Sequence, residues 1–561
     1  MYLPFATKIP DCPGKIIRKK VSNTTYILYQ HGTRYLPKKQ YAIPIRTCIG
    51  KETNDGLLIP NEHFHKFFPE CDLTGDNPRI YRSGCLHVGA FFVIRRIVED
   101  YCLPEILGEF MSSKDLGLFF DLMTYSLITE GNAAQYYPEY AYNHPLFTEG
   151  MKIYSDSKVS TFLNSLTADQ SIGFLNSWNQ NRNRFERIYI SYDSTNKNSQ
   201  AGDLSMVEFG NAKDDLKLPI FNYSLAHDLT RKEPLFYEEY PGSVVDVSQL
   251  QYMLAKAQGY GYRNVGFVLD RGYFSKDNIR FLDENNYSFV LMMKGMKKLV
   301  SNLIKSVKGS FECSRACEIR EYKTYGMTVK TKLYAEDTKD RYIHIYHSTG
   351  REHYERENIE YKLERLTKYL KKNEGGIIVE SEILRHYFDL FYDKNKEKFL
   401  FAKEKAKVVE EELALGGYFS IVTSEDITAR EALTLYKSRD DSEKLFRGDK
   451  SYLGNRSMRV YSNESTAAKL FVEFVALIVR NKIYTRLKAA VLKNDKKANY
   501  MTVPAAIREL EKIEMIRPGD GIYRLDHAVT STQKEILRAF GLDERFIKDQ
   551  TTELSKLLQN L

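Results

Sequence analysis

At 561 residues the chain is too long for one hydrophobic core, so two to four domains are expected. With 43% hydrophobic and 28% charged residues it has an ordinary globular composition, which argues against fibrous, disordered and membrane-embedded classes. The net charge of +8 is unevenly placed: residues 1–50 hold nine Lys or Arg (Lys8, Lys15, Arg18, Lys19, Lys20, Arg34, Lys38, Lys39, Arg46) against Asp11 alone, a surplus that equals the whole. Residues 451–500 form a second basic block, with ten cations and three acids. Blocks of this kind attract phosphate backbones, and they also describe an ordinary solvated surface. The seven scattered cysteines do not make a disulfide framework and read as reduced thiols. The opening MYLPFATKIPDCPGK has no basic lead into an apolar core, so no secretory signal is expected. The longest apolar run, LFVEFVALIV, contains Glu473 and is too short to span a bilayer. No membrane partner and a cytoplasmic location are therefore expected.

In chain order, residues 1–80 read as a basic β-rich module: TTYILYQ and YAIPIRTCIG are strand-like, punctuated by Gly32, Pro37 and Pro44. Residues 81–186 change to helical texture, with apolar residues three and four apart in LHVGAFFVIRRIVEDY and LGLFFDLMTYSLITEG. From 187 to 295 strand periodicity returns. RIYISYDST, LKLPIFNYSLA and PLFYEEYPGS are strands, DVSQLQYMLAKAQGYG a helix, VGFVLDRGYF a buried-type strand, SKDNIRFLDENN a helix, and YSFVLMMKG a strand. The order β-β-β-α-β-α-β is the core of a ribonuclease-H-like fold. Residues 296–416 interrupt it with a mixed, strand-containing insertion. Residues 417–485 complete the core: GGYFSIVTS is a last strand, and Thr428-x-x-Glu431 is a capping box opening a helix. Residues 486–561 read as a helical C-terminal region. The expected class is multidomain α/β, a ribonuclease-H-like core with helical flanks.

Asp193 and Asp270 each stand at the polar end of an apolar strand, where a lone aspartate is most often a turn residue. In the expected sheet their strands lie side by side and parallel, which makes the two acids neighbours. A third acid comes from Tyr436-x-x-Arg439-x-x-x-Glu443-x-x-x-x-x-x-Lys450. At about 100° per residue these four fall within roughly a 60° arc of one helix, a carboxylate framed by two cations and a phenol. Three clustered carboxylates stay ionised only beside cations. Oxygen donors suit Mg²⁺ or Mn²⁺, and two such ions would serve an in-line displacement at phosphorus. Asp440, about 60° from Glu443 around the helix, is the rival third ligand. Gly448 is placed to end the helix before Lys450.

These motifs resemble the insertion-sequence DDE transposases of the Tyr-Arg-Glu-Lys subgroup, over roughly residues 185–485. Phe209-Gly210-Asn211-Ala212-Lys213 and Pro241-Gly242-Ser243-x-x-Asp246 look like the family's intervening segments. The resemblance implies that Asp193, Asp270 and Glu443 are the catalytic, metal-holding acids and that two Mg²⁺ or Mn²⁺ ions are the cofactors. It implies that Arg439 and Lys450 hold phosphates and that Tyr436 contacts a phosphate or a flipped base. Arg271 and Lys294 are secondary DNA contacts. The implied function is metal-dependent cleavage and strand transfer at the inverted ends of a mobile element, cut-and-paste, in a bacterial cytoplasm beside the nucleoid. The partners are double-stranded DNA at element ends and target, and a second copy bridging two ends. The competing reading is a catalytically silent, sequence-specific DNA-binding protein derived from such an enzyme.

Overall fold

The segments KIIRKKV, TTYILYQ and YAIPIRTCIG are rich in β-branched and aromatic residues, and they fold into a sheet with a hydrophobic core on one face. In the computed structural model, β1 (Lys15–Val21), β2 (Thr24–Leu36), β3 (Tyr41–Glu52) and β4 (Leu58–Pro60) form a four-stranded antiparallel sheet in that order. Ile27, Ile49, Leu58, Phe64 and Phe68 make its core, with Ile16 and Tyr29 packed against them. The structure describes the whole chain except residues 1–5, 13–14, 23, 37–39, 54–55, 69–81, 181–186, 200–203, 211–217, 245, 396–397, 449, 451–452, 454–456, 494–500, 519–520 and 560–561. Lys38, Lys39, Cys71, Asn211, Ala212 and Lys213 thus lie outside the described residues.

The chain divides into two compact units: residues 1–86, 514–528 and 545–561, and residues 87–513 and 529–544. A short strand, β5 (Cys85–His87), ends the first segment of the smaller unit. The larger unit opens with helices, among them Gly89–Asp100, Ser113–Thr129 and Ala168–Gln180, which bury the apolar spacing seen in the sequence.

The larger unit is built on a mixed nine-stranded sheet. Its strands are β6 (Ile188–Asn198), β7 (Ile220–Asp228), β8 (Glu233–Pro241), β9 (Val265–Leu269), β10 (Ser288–Met292), β11 (Glu318–Ile319), β12 (Thr324–Thr331), β13 (Arg341–His347) and β16 (Tyr418–Thr423). The spatial order is β11-β12-β13-β16-β10-β9-β6-β7-β8. The expected order of three strands, a helix (Asp246–Gly259), a strand, a helix (Lys276–Glu284) and a strand is present. β9 pairs parallel with both β6 and β10, while β6, β7 and β8 are antiparallel. VGFVL is buried at every position, as a strand covered on both faces must be. The Asn463–Lys493 helix is buried over most of its length and packs on the sheet and on the Ser113–Thr129 helix, with Phe474 5.0 Å from Tyr237 and Phe471 5.0 Å from Phe119.

Within residues 296–416, β12 and β13 are hydrogen-bonded into the main sheet through β16. Their β-rich sequences find edges to extend there, so only the chain between β13 and β16 stands as a separate cluster. That cluster holds the Thr349–Lys372 helix and a hairpin of β14 (Phe388–Tyr392) and β15 (Phe399–Glu404) around Leu363, Leu370 and Phe399. The C-terminal region also differs from a wholly helical reading, because β17 (Glu514–Ile516) and β18 (Arg524–Leu525) join β5 in a three-stranded sheet. Among the described residues, no helix is long and apolar enough to cross a membrane.

Candidate active site

The parallel pairing of β6 with β9 brings two acids together. Tyr192 is opposite Leu269, so Asp193, one residue further along β6, stands beside Asp270, which follows β9. Asp193 is held by the Ser194 backbone N–H donating to its Oδ1 at 2.8 Å. Asp270 sits at the entry of a short turn, Arg271–Tyr273, in extended backbone.

The helix opened by the Thr428–Glu431 capping box delivers the remaining groups. The expected single helix from Tyr436 to Lys450 is instead two, Ala429–Ser438 and Asp440–Arg447, divided at Arg439. At the division the Arg439 N–H bonds back to the Tyr436 carbonyl, a tighter three-residue step that breaks the regular ladder. The face is also less open than its spacing suggested. Tyr436 is buried, and Arg439 is only 11% exposed.

Arg439 is the keystone. Its guanidinium lies 3.5 Å from Asp193, 3.7 Å from Asp270 and 2.9 Å from Glu443. The Tyr436 hydroxyl donates to Asp270 Oδ1 at 3.3 Å, and the Arg439 guanidinium lies 5.4 Å from the Tyr436 ring centre. Burial pushes the Tyr436 phenol up to about 12, partly opposed by Arg439, so it stays a neutral donor. Burial works to strip the Arg439 proton, but Tyr436, Asp270, Asp193 and Glu443 outweigh it and raise its pKa above the ordinary arginine value. The three acids named from sequence are therefore gathered round one cation. Asp440 is exposed at the start of the second helix, and the acid of that helix paired with Arg439 is Glu443.

The secondary residues fall nearby. Arg271 is exposed directly after Asp270, and Lys294 is exposed just beyond β10, at the same end of the parallel strands. Gly448 does not end the helical run as expected: its backbone is still helical, and half-buried Lys450 lies in π-helical backbone just after the Asp440–Arg447 helix. Two glycine-containing segments meet at the far end of β7. A Cβ on Gly210 would lie 1.9 Å from the Gly242 carbonyl oxygen, so only glycine permits that approach.

A divalent ion fits this centre in donor type: three hard carboxylates converge where a positive charge already sits. It does not fit in the present arrangement. Among the described residues, no three His, Cys, Asp or Glu side chains are grouped so as to hold one ion. Arg439 stands between the acids, with its Nε buried and unbonded.

The sequence reading assigned Arg439 to phosphate and missed its contact with all three acids; the i, i+4 spacing of Arg439 and Glu443 was the available signal. It also missed Lys197, on the same strand as Asp193. That ammonium is fully buried 3.5 Å from Glu473. The acid inside LFVEFVALIV was the cue, since a buried carboxylate demands a cation.

Residues 209–479 match the family model for the transposase DDE domain, which supports a DDE transposase. The matched segment contains Asp270 and Glu443 and begins after Asp193. Among solved structures, the chain is similar to a piggyBac transposase synaptic complex with hairpin DNA, determined by cryo-EM. The identity is 9%, the alignment covers 85% of this chain and 86% of that one, and the TM-score is 0.36, too slight a likeness to bear on the site. No curated protein sequence matches the chain.

Proposed function

We propose that this chain is a DNA transposase of the Tyr-Arg-Glu-Lys subgroup with a ribonuclease-H-like core, cutting at the inverted ends of an insertion sequence and joining the freed 3′ end to target DNA. The observation that carries this reading is the convergence of Asp193, Asp270 and Glu443 on one guanidinium. Asp193, Asp270 and Glu443 would hold the metal, Mg²⁺ or Mn²⁺, with two ions expected. When bound, it supplies Lewis acidity at the attacking and leaving oxygens of the phosphodiester.

The residues of the chain do the rest. Tyr436 keeps Asp270 aligned through its hydroxyl. Arg439, whose guanidinium reaches all three acids, would be a bidentate donor for a phosphate held beside them. Arg271, Lys294 and Lys450 add positive charge along the backbone of the bound DNA. The N-terminal module, residues 1–80, and the helical region, residues 81–186, bind the element ends, and a homodimer bridges two of them.

A second reading, a catalytically silent DNA-binding derivative, draws on the position of Arg439 in the place a metal would take. Incubating the protein with DNA carrying the sequences that flank its gene, with and without Mg²⁺, separates the two. Metal-dependent nicking at the element boundary supports the enzyme. Binding without cleavage in both Mg²⁺ and Mn²⁺ supports the silent derivative and contradicts the proposal.

A further inference from the structure

The open face of the N-terminal sheet carries its cations in a pattern that the strand register makes visible. Ile16, Ile27, Tyr29 and Ile49 turn to the core. The residues between them point the other way, because successive side chains alternate and directly opposed residues share a face. Three rows then cross the three strands. Lys15, Gln30 and Arg46 are in register, then Ile17, Leu28 and Cys48, then Lys19, Tyr26 and Lys51. The middle row is apolar and each outer row holds two cations, with no acid among the nine. Lys15, Lys19 and Arg46 are exposed, and Ile17 and Leu28 are half-buried on a face whose other side is the core. Arg46 leans on Gln30 at 3.4 Å, within its own row. On the opposite face Arg18 is paired with Glu52 at 2.7 Å.

The dimensions suit one ligand. At about 3.4 Å per residue, Lys15 and Lys19 are roughly 14 Å apart along β1. The B-DNA major groove is about 12 Å wide. Strands lying across that groove would set one cationic row on each phosphate wall, within reach of flexible lysine stems. The apolar row would then face the groove floor, where thymine methyls are read by apolar contact.

We propose that this face docks in the major groove of duplex DNA, with Lys15 and Arg46 on one backbone, Lys19 and Lys51 on the other, and Ile17 and Leu28 toward the bases. The proposal rests on the reading of the chain as a DNA transposase and deepens it by naming the element that binds and the groove it enters.

The test measures duplex binding by the full chain as a function of KCl, using the flanking-end duplex as probe and the same sequence single-stranded as a second probe. Each neutralised contact contributes about 0.9 to the salt slope. Lys15→Gln with Arg46→Gln, or Lys19→Gln with Lys51→Gln, should each lower the slope by about two and weaken binding of every duplex alike. Ile17→Thr with Leu28→Thr should keep the slope and reduce the preference for the cognate end. Arg18→Gln with Lys20→Gln, on the other face, should leave the slope near the wild-type value. Row variants that keep the wild-type slope while the wild type binds and nicks DNA would overturn the docking face alone. Equal loss from the opposite-face pair, or tighter binding of the single strand, would do the same. A wild type that neither binds nor nicks the duplex would overturn the docking face and the transposase reading together.

Discussion

Replacing Arg439 by Gln removes a cation that three acids share, and the cost can be worked from its surroundings. At effective dielectric values near 20, a charge pair at 3.5–3.7 Å gains about 4–5 kcal/mol before desolvation is counted. Asp193 and Asp270 lie at those distances from the guanidinium. Breaking a buried pair costs about 3–5 kcal/mol. Asp270 is 36% exposed and is discounted for solvent, while Glu443, at 53% exposed, contributes only a few tenths. The net loss expected in metal-free buffer is about 2–4 kcal/mol. A divalent ion should replace part of it, since a ligand at a hundredfold its Kd adds about 2.7 kcal/mol. The assay is thermal and urea unfolding of wild type and Arg439→Gln, in EDTA and in Mg²⁺. The variant should be less stable in EDTA and should gain more from Mg²⁺ than the wild type, whose arginine competes with the ion. Equal stability in EDTA, or an equal gain from Mg²⁺, would refute the view that Arg439 holds a cation site.

Two further outcomes follow from buried groups of the same unit. His344 is fully buried between Thr328 and Thr423, 2.9 Å from each hydroxyl, and burial lowers its pKa to about 4. The unfolded chain binds its proton near pH 6.5, so this residue's contribution is complete above that pH and is lost as pH falls from 6.5 toward 4. The loss should be roughly 3 kcal/mol at pH 4, and His344→Gln should flatten the fall in urea midpoint over that window; an unchanged pH profile would contradict it. Glu473 is buried 3.5 Å from the ammonium of Lys197, and Lys469 beside it is lowered to about 8 by burial, against the opposing pull of Glu473. Glu473→Gln should therefore cost about 3–5 kcal/mol in thermal unfolding, whereas a near-neutral change would mean that the cations find water.

Much of the site was legible because it depends on local pattern. Asp193 and Asp270 were found as acids that follow an apolar strand stretch, although β6 runs on past Asp193 to Asn198, and parallel pairing made them neighbours. The capping box at Thr428 located the helix that brings Glu443. What escaped was long-range. That Arg439 would turn toward the acids and divide its helix depends on groups 169 and 246 positions away, which no window along the chain reveals. β12 and β13 read as part of an insertion because their partner β16 lies beyond it in sequence. The Lys197–Glu473 pair joins a strand to a helix 276 residues later, and only the apolar run around Glu473 hinted at it.

The central claim is that Asp193, Asp270 and Glu443 form one metal-dependent centre for cleaving DNA. Its most direct test is single-turnover nicking of the flanking-end duplex in Mg²⁺ by the wild type, Asp193→Asn, Asp270→Asn, Glu443→Gln and Asp440→Asn, with duplex binding measured alongside. The first three variants should bind as the wild type does and cut at least about a thousandfold more slowly, a loss of some 4 kcal/mol in transition-state stabilisation, while Asp440→Asn cuts normally. Cleavage that survives Glu443→Gln and disappears with Asp440→Asn would move the third acid and contradict the account.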